Sequence, residues 1–403
     1  VRESVGSIPD FRTDAVALSD ELVALRRALH AEPEIGLHLP RTQRRVLDAI
    51  AGLPLDVHVG EKLSSVVAVL RGERPGPAVL LRGDMDALPI AEATGLEYAA
   101  TNGAMHACGH DLHTAGLVGA VRLLAARRAS LAGTVIFAFQ PGEEGAGGAK
   151  IMLDEGLLDV AGERPVASYA IHVAPGPRGV FGTRPGAMAA GSNVLNVVVH
   201  GRGGHGSQPH LALDPVPVAA EIVLALQSFV TRRFDATDPI VLSVTRLSTG
   251  EGAVNVIPET VELAATIRIQ SAASLHTLSS GLPRLVEGIA AAHGLTASAD
   301  FQVLYPVTTN APEPTAAAFA VLRDTFGVNS VMELPEPMMT SEDFSYILDE
   351  IPGTFVGLAA SPPGLDPATV AWNHSPHVVF DDAVLADQAA ALATLAYART
   401  AAG

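Results

Sequence analysis

Ala78-Val79-Leu80-Leu81-Arg82-Gly83-Asp84-Met85-Asp86-Ala87-Leu88-Pro89 begins as an apolar run and ends in a loop that carries two carboxylates. With residues 65–70 just before it, the run reads as one of two neighbouring buried strands. In open α/β sheets ligands sit at the carboxyl ends of the strands, so Asp84 and Asp86 fall where a site would be built. Two residues apart on extended backbone, they point to the same side. Capping of loop amides is the competing use, as good a reading for Asp84 and a weaker one for Asp86.

The same arrangement recurs along the chain. Residues 134–139, Thr-Val-Ile-Phe-Ala-Phe, form another buried strand by their β-branched and aromatic content, and Gln140-Pro-Gly-Glu143-Glu144-Gly-Ala-Gly-Gly148 follows. Adjacent glutamates on such a turn can divide duties, one binding a metal while the other handles protons. The run 166–173 carries His172 near its end. Apolar spacing predicts helices over 19–31, 42–51, 114–128 and 149–155, with His30 a solvated residue at the end of the first.

Between two of these strands lies Met105-His-Ala-Cys108-Gly-His110-Asp111-Leu-His-Thr114, which holds the only cysteine of 403 residues. Thiolate and imidazole two apart, with glycine between, can converge on one metal, and Asp111 can orient a ring. A buried small hydrophobe, or a nucleophile activated by His106 or His110, fits these ten residues as well.

At this length two domains are expected. From Gly191 the pattern is strand 194–200, helix 212–234, strands 240–247 and 260–269, helix 274–293 and strand 295–305. That is βαββαβ, a ferredoxin-like inserted domain spanning 191–305, which divides an α/β domain into 1–190 and 306–403. Its first loop carries His205 among glycines. The last part reads as helices 315–325 and 341–350, a strand 354–358, the cluster Trp372-Asn-His374-Ser-Pro-His377, and a closing helix 382–399.

The formal charge of −17 disfavours nucleic acid and anionic lipid surfaces as partners, and no apolar stretch is long enough to span a bilayer. Val1-Arg2-Glu3-Ser4 shows no secretory pattern, and a single cysteine suits a reducing cytoplasm.

Asp84, Asp86, Cys108, His110, Glu143, Glu144, His172 and His374 come from five loops at one sheet edge, and their number favours two divalent ions. Mixed S, N and O donors suit Zn, Mn, Co or Ni.

Taken together, Arg82-Gly-Asp-Met-Asp-Ala-Leu-Pro89, Met105-His-Ala-Cys-Gly-His-Asp111, Gln140-Pro-Gly-Glu-Glu144, Ile171-His172, Gly203-Gly-His205, Asn255-Val-Ile-Pro258, Thr340-Ser-Glu-Asp-Phe344 and Asn373-His-Ser-Pro376 resemble the M20 metallopeptidase family. The likeness is to its M20D amidohydrolase branch, which includes hippurate hydrolases, N-acyl-amino-acid amidohydrolases and indoleacetyl-amino-acid hydrolases. It implies a metal-dependent exopeptidase-like catalytic domain with a ferredoxin-like lid and dimerisation domain. It also implies that Cys108 bridges two metals completed by His110, Glu144, His172 and His374, with Glu143 as general base. His205 would stabilise the oxyanion, typically in the partner subunit of a homodimer, and Asn255 and Arg268 would contact the N-acyl amino acid. Asp86 and Asp111 stand behind the ligands. Asp84-Met85-Asp86 departs from the His-x-Asp of other branches, which leaves Asp84 without a role, and Leu112 stands where relatives carry a smaller residue.

A thiol enzyme using Cys108 would leave Glu143, Glu144, His172 and His374 without duties, and a non-catalytic metal binder would have no use for Glu143. Within the amidohydrolase reading, a dipeptidase or deacetylase is the alternative to an aryl-acyl amidase.

Overall fold

The strand β3 (Arg74–Asp84) lies near the centre of an eight-stranded sheet in the computed structural model, which describes residues 8–365 and 369–401. The other strands are β1 (Asp56–Val59), β2 (Val66–Arg71), β4 (Ala132–Gln140), β5 (Ala167–Ala174), β6 (Phe181–Thr183), β7 (Val331–Glu333) and β8 (Gly353–Ala359). Their order is β1-β2-β4-β3-β5-β8-β6-β7. The central four, β4, β3, β5 and β8, run parallel, so their carboxyl ends share one edge. Asp84 and Gln140 end β3 and β4 there, and His172 lies near the end of β5.

The two strands read as neighbours are separated. β4 stands between β2 and β3, antiparallel to the first and parallel to the second. The short link between them is pinned to the start of β4, Gly72 N donating to Gly133 O and Arg74 N to Leu131 O. Both strands are buried apolar runs, and such runs do not encode which neighbour they take.

Helices α1 (Phe11–Val16), α2 (Ser19–Ala31), α3 (Pro40–Ala49), α4 (His110–Ala126), α5 (Gly148–Asp154), α6 (Pro312–Phe326), α7 (Ser345–Glu350) and α8 (Val384–Ala401) cover this sheet. Nearly every residue of α4 is buried, because the helix packs on β3 and β5 and is covered by α2 and α8. Gly119 permits the close approach: a Cβ there would stand 2.6 Å from that of Ala389. Leu112, where relatives carry a smaller residue, is part of this core. His30, expected in solvent, is buried. The helix predicted over 341–350 is confined to α7, since the residues before it are committed to side-chain bonds at the strand ends.

The chain forms two compact units. One holds this sheet and takes the residues up to Met188, Thr309–Glu336 and those from Asp343 onward; the other takes Ala189–Thr308 and Pro337–Glu342. The second unit is βαββαβ: antiparallel strands Gly191–His200, Val241–Ser248, Thr260–Ile269 and Thr296–Tyr305, with helices Pro215–Arg233 and Ala272–Ala292. Asp214 and Ser271 cap the two helices with their side chains. A two-residue ribbon pairs Gly204–His205 with Val256–Ile257. No helix among the described residues is long and apolar enough to cross a membrane.

Candidate metal centre

The loop before α4 is folded against the end of β5, and Gly109 is what allows it. Its φ is 87°, and a Cβ on it would meet Val173 Cγ2 at 2.3 Å. Cys108 and His110 are thereby brought beside His172. The residues 373–374 close over the same loop: His374 N donates to Ala107 O at 2.9 Å, and Asn373 Nδ2 donates to Cys108 O and Val173 O, each at 3.2 Å. His374 has a φ of 69°, the one positive value at a non-glycine residue among those described. Left-handed backbone at a non-glycine residue is strained, and such strain concentrates at functional sites.

Two imidazoles are locked in one tautomer. His110 Nδ1 lies 2.8 Å from the Asp86 carbonyl and His172 Nδ1 2.8 Å from the Val173 carbonyl. A carbonyl only accepts, so in each ring Nδ1 carries the proton that makes this bond. His172 Nε2 then faces Cys108 Sγ at 3.4 Å. His110 Nε2 makes no hydrogen bond and faces Asp84 Oδ2 at 3.6 Å and Glu143 Oε2 and Glu144 Oε1 at 4.0 Å. Burial opposes charge on this ring, but Asp84, the bond to Asp86 and the Cys108 sulfur outweigh it and raise it well above its usual range, so the position favours a positive charge at Nε2, a proton or a metal ion.

Ligand atoms of Cys108, His110 and His172 lie within 4.8 Å of one another, and so do those of Cys108, Glu144 and His374. The sulfur is common to both groups. Donors bound at about 2.0–2.3 Å to one ion are separated by at most about 4.6 Å, so each triad is close to the spacing of a coordination shell. The donors fit divalent metal: soft sulfur, two imidazoles held by their second nitrogen, and carboxylate oxygen. A third group, Asp84, His110 and His113, also converges, but His113 has no lone pair to give. Its Nε2 accepts from Val173 N at 2.8 Å and its Nδ1 serves Asp84 Oδ1.

Burial pushes the Cys108 thiol up to about 12, with the nearby carboxylates adding to the effect against His110. A thiolate at this position therefore needs a cation beside it. His106, the other suggested activator, has no partner on either nitrogen among the described residues, and burial pushes it down to about 4. This disfavours a thiol nucleophile, which has to be ionised near neutral pH.

The turn bearing the two glutamates is aimed by Asp86, whose two carboxylate oxygens accept from Glu143 N at 2.9 Å and Glu144 N at 3.0 Å. Glu144 Oε1 reaches to 3.2 Å from His374 Nε2. Burial opposes the charged form of Glu144, but His374 and His110 outweigh it and hold the carboxyl below its usual range.

A family description, peptidase family M20/M25/M40, matches residues 80–398, which include every one of these ligand loops. The chain belongs to the M20 family. Thermostable carboxypeptidase 1 of Saccharolobus solfataricus is 35% identical over 397 residues, covering 96% of this chain and 98% of that protein. N-acetylcysteine deacetylase of Bacillus subtilis is 34% identical, covering 91% and 94%. A Bacillus subtilis crystal structure described as a dinuclear metal binding peptidase from the M20 family matches with a TM-score of 0.80 at 30% identity, over 95% of this chain and 98% of that one. Within M20 this chain is a metal-dependent amidohydrolase of the M20D branch.

The other residues expected in this M20 centre have partners of their own. Asp111 points away from the ligands: its Oδ2 lies 2.7 Å from both His30 Nδ1 and Arg26 Nε. His205, Asn255 and Arg268 belong to the second unit. His205 and Asn255 are adjacent there, Gly206 N donating to Asn255 O at 2.8 Å, and His205 Nδ1 accepts from Ser207. Arg268 is half-buried and donates to Thr266 Oγ1 at 2.9 Å.

Four residues that shape this M20 site carry no role in the reading from sequence. His113 ties Asp84 to the backbone of β5, Asn373 ties Cys108 to the same strand, and Arg82 and Asp343 bind each other at 2.9 Å beneath the glutamate turn. All four lie inside the quoted motifs or one residue from a named ligand, which was the available signal.

Proposed function

We propose that this enzyme hydrolyses the amide bond of N-acyl L-amino acids, releasing a carboxylic acid and a free amino acid. The observation that carries this is Cys108 Sγ shared between two ligand triads, with Glu143 Oε2 beside them at 4.0 Å from His110 Nε2.

In this reading Cys108, His110, Glu144, His172 and His374 hold two divalent ions, Zn, Mn, Co or Ni. Such ions supply Lewis acidity and a nucleophilic water at neutral pH. Glu143, aimed by Asp86, takes a proton from the attacking water and passes it to the leaving amine. His205 stabilises the developing oxyanion, contributed within a homodimer formed through the second unit. Asn255 and Arg268 bind the substrate, the guanidinium suiting an α-carboxylate. The deacetylase relative supports an acyl amino acid as substrate, and the lone thiol kept as a ligand supports a cytoplasmic location.

The test is a hydrolysis screen of N-acetyl, N-benzoyl and longer N-acyl amino acids beside dipeptides and longer peptides, on protein of measured metal content. Preference for acyl amino acids supports the proposal. Fully metal-loaded protein that cleaves only peptides is instead a carboxypeptidase or dipeptidase, and one that cleaves nothing is a metal-binding module.

A further inference from the structure

The turn that carries Glu143 and Glu144 is tied at both ends by a single carboxylate. Asp343 is fully buried, and Gln140 Nε2 donates to each of its oxygens at 2.8 Å. Arg82 Nη2 donates to its Oδ1 at 2.9 Å and Ala149 N to its Oδ2 at 3.0 Å. Gln140 ends β4 and Ala149 lies in the first turn of α5, so the segment 141–148 stands with both feet on one side chain. Within it Gly148 N donates to Gly142 O at 3.0 Å, and a Cβ on Gly148 would lie 1.7 Å from Pro141 O. There is no slack in this loop. Asp86 fixes its middle and Asp343 its span.

We propose that Asp343, from the motif Thr340-Ser-Glu-Asp-Phe344, is a positioning residue that sets the direction of Glu143 and Glu144 without touching substrate. The proposal rests on the functional reading above for what those two glutamates do. Every hydrogen-bonding neighbour named for Asp343 is a donor, which is why a carboxylate is required: an asparagine would set its own N–H2 against Gln140 Nε2 and against either Arg82 Nη2 or Ala149 N. Arg82 balances the charge and donates to Asp84 as well.

The experiment compares the full-length, metal-loaded enzyme with Asp343→Asn and with Asp343→Asn combined with Gln140→Glu. In the double variant the carboxylate moves across the bond to position 140, where it can accept from Arg82 and from the amide introduced at position 343. For Asp343→Asn, kcat is expected to fall about tenfold or more while KM stays within about threefold, since misdirected catalytic groups slow turnover more than binding. Metal content should stay at the wild-type value. Amide hydrogen exchange should quicken at residues 142–149 and nowhere else, and the double variant should recover part of both losses, since its clash at position 140 is removed while Arg82 Nη2 or Ala149 N still meets the new N–H2. Should Asp343→Asn not fold, a folded double variant with a partly protected turn and partly retained kcat still supports the proposal. Wild-type kcat and exchange in Asp343→Asn, a uniform rise of exchange along the chain, or a folded double variant with an unprotected turn would overturn it. The exchange readout needs no substrate, so it judges Asp343 even if no acyl amino acid is turned over by the wild type, an outcome that defeats the functional reading alone.

Discussion

Asp86 holds His110 and the glutamate turn at once: its carbonyl accepts a hydrogen bond from His110 Nδ1 at 2.8 Å, and its carboxylate accepts from the amides of Glu143 and Glu144. One residue thus fixes which nitrogen of the imidazole is free and where both glutamates point. Asp86→Asn keeps the carbonyl and loses half of the carboxylate clamp. Metal affinity is expected to fall about 10- to 100-fold, as for other groups that orient ligands. A competition titration against a chromogenic chelator measures it.

Glu143→Gln removes the proposed base and leaves the two triads that contain Cys108 intact. Elemental analysis should find wild-type metal content, and kcat should drop by about 10²- to 10⁴-fold. Turnover near the wild-type rate would remove Glu143 from the mechanism.

Chelation is expected to abolish turnover and lower the thermal midpoint together. Without cations His110 Nε2 faces three carboxylates across 3.6–4.0 Å. An ion present at 100 times its dissociation constant stabilises the fold by about 2.7 kcal/mol. Re-addition of Zn, Mn, Co and Ni in turn, followed by calorimetry and assay, identifies the ions that restore both.

His30 gives the fold a pH dependence of definite sign. Burial opposes its charge, yet the Asp111 carboxylate and the bonds to Asp111 and Glu92 outweigh it and raise the ring to about 9 from 6.5. A raised pKa means that stability is fully present below about 6.5 and is lost as pH climbs through 9. Asp111 moves the other way: burial opposes its ionisation, but Arg26 and His30 hold its carboxyl well below the usual range, so its contribution persists at neutral pH and is lost only in strong acid. Urea midpoints measured from pH 6 to 9.5 at fixed metal concentration should fall for the wild type. They should stay nearly flat for His30→Gln.

What the sequence made legible was whatever is local in the chain. The 3.6-residue spacing of Leu22, Leu25 and Leu29 marks α2, and the β-branched run before Gln140 marks β4. Residue type and motif pick out Cys108, His110, Glu144, His172 and His374 as candidate ligands, and the fold brings their donor atoms together in two groups that share the sulfur. Partnerships across the chain left no such trace. Asp343 meets Arg82 across 261 positions, and His30 meets Asp111 across 81. Nothing in a helix-end histidine announces that a carboxylate from another helix will close on it. The insertion of β4 between β2 and β3 was hidden for a related reason, since a strand buried on both faces looks the same beside any neighbour. The ribbon holding His205 has only two residues per strand, too short for any periodicity to show.

The central claim is that the Cys108 sulfur joins two metal ions, and X-ray absorption at the metal edge together with anomalous diffraction from crystals of the metal-loaded enzyme tests it most directly. Two ions per chain are expected, each with one sulfur neighbour at about 2.3 Å, the same atom for both. A single ion, or two ions with nitrogen and oxygen neighbours only and the thiol turned away from His172 and Glu144, would contradict it.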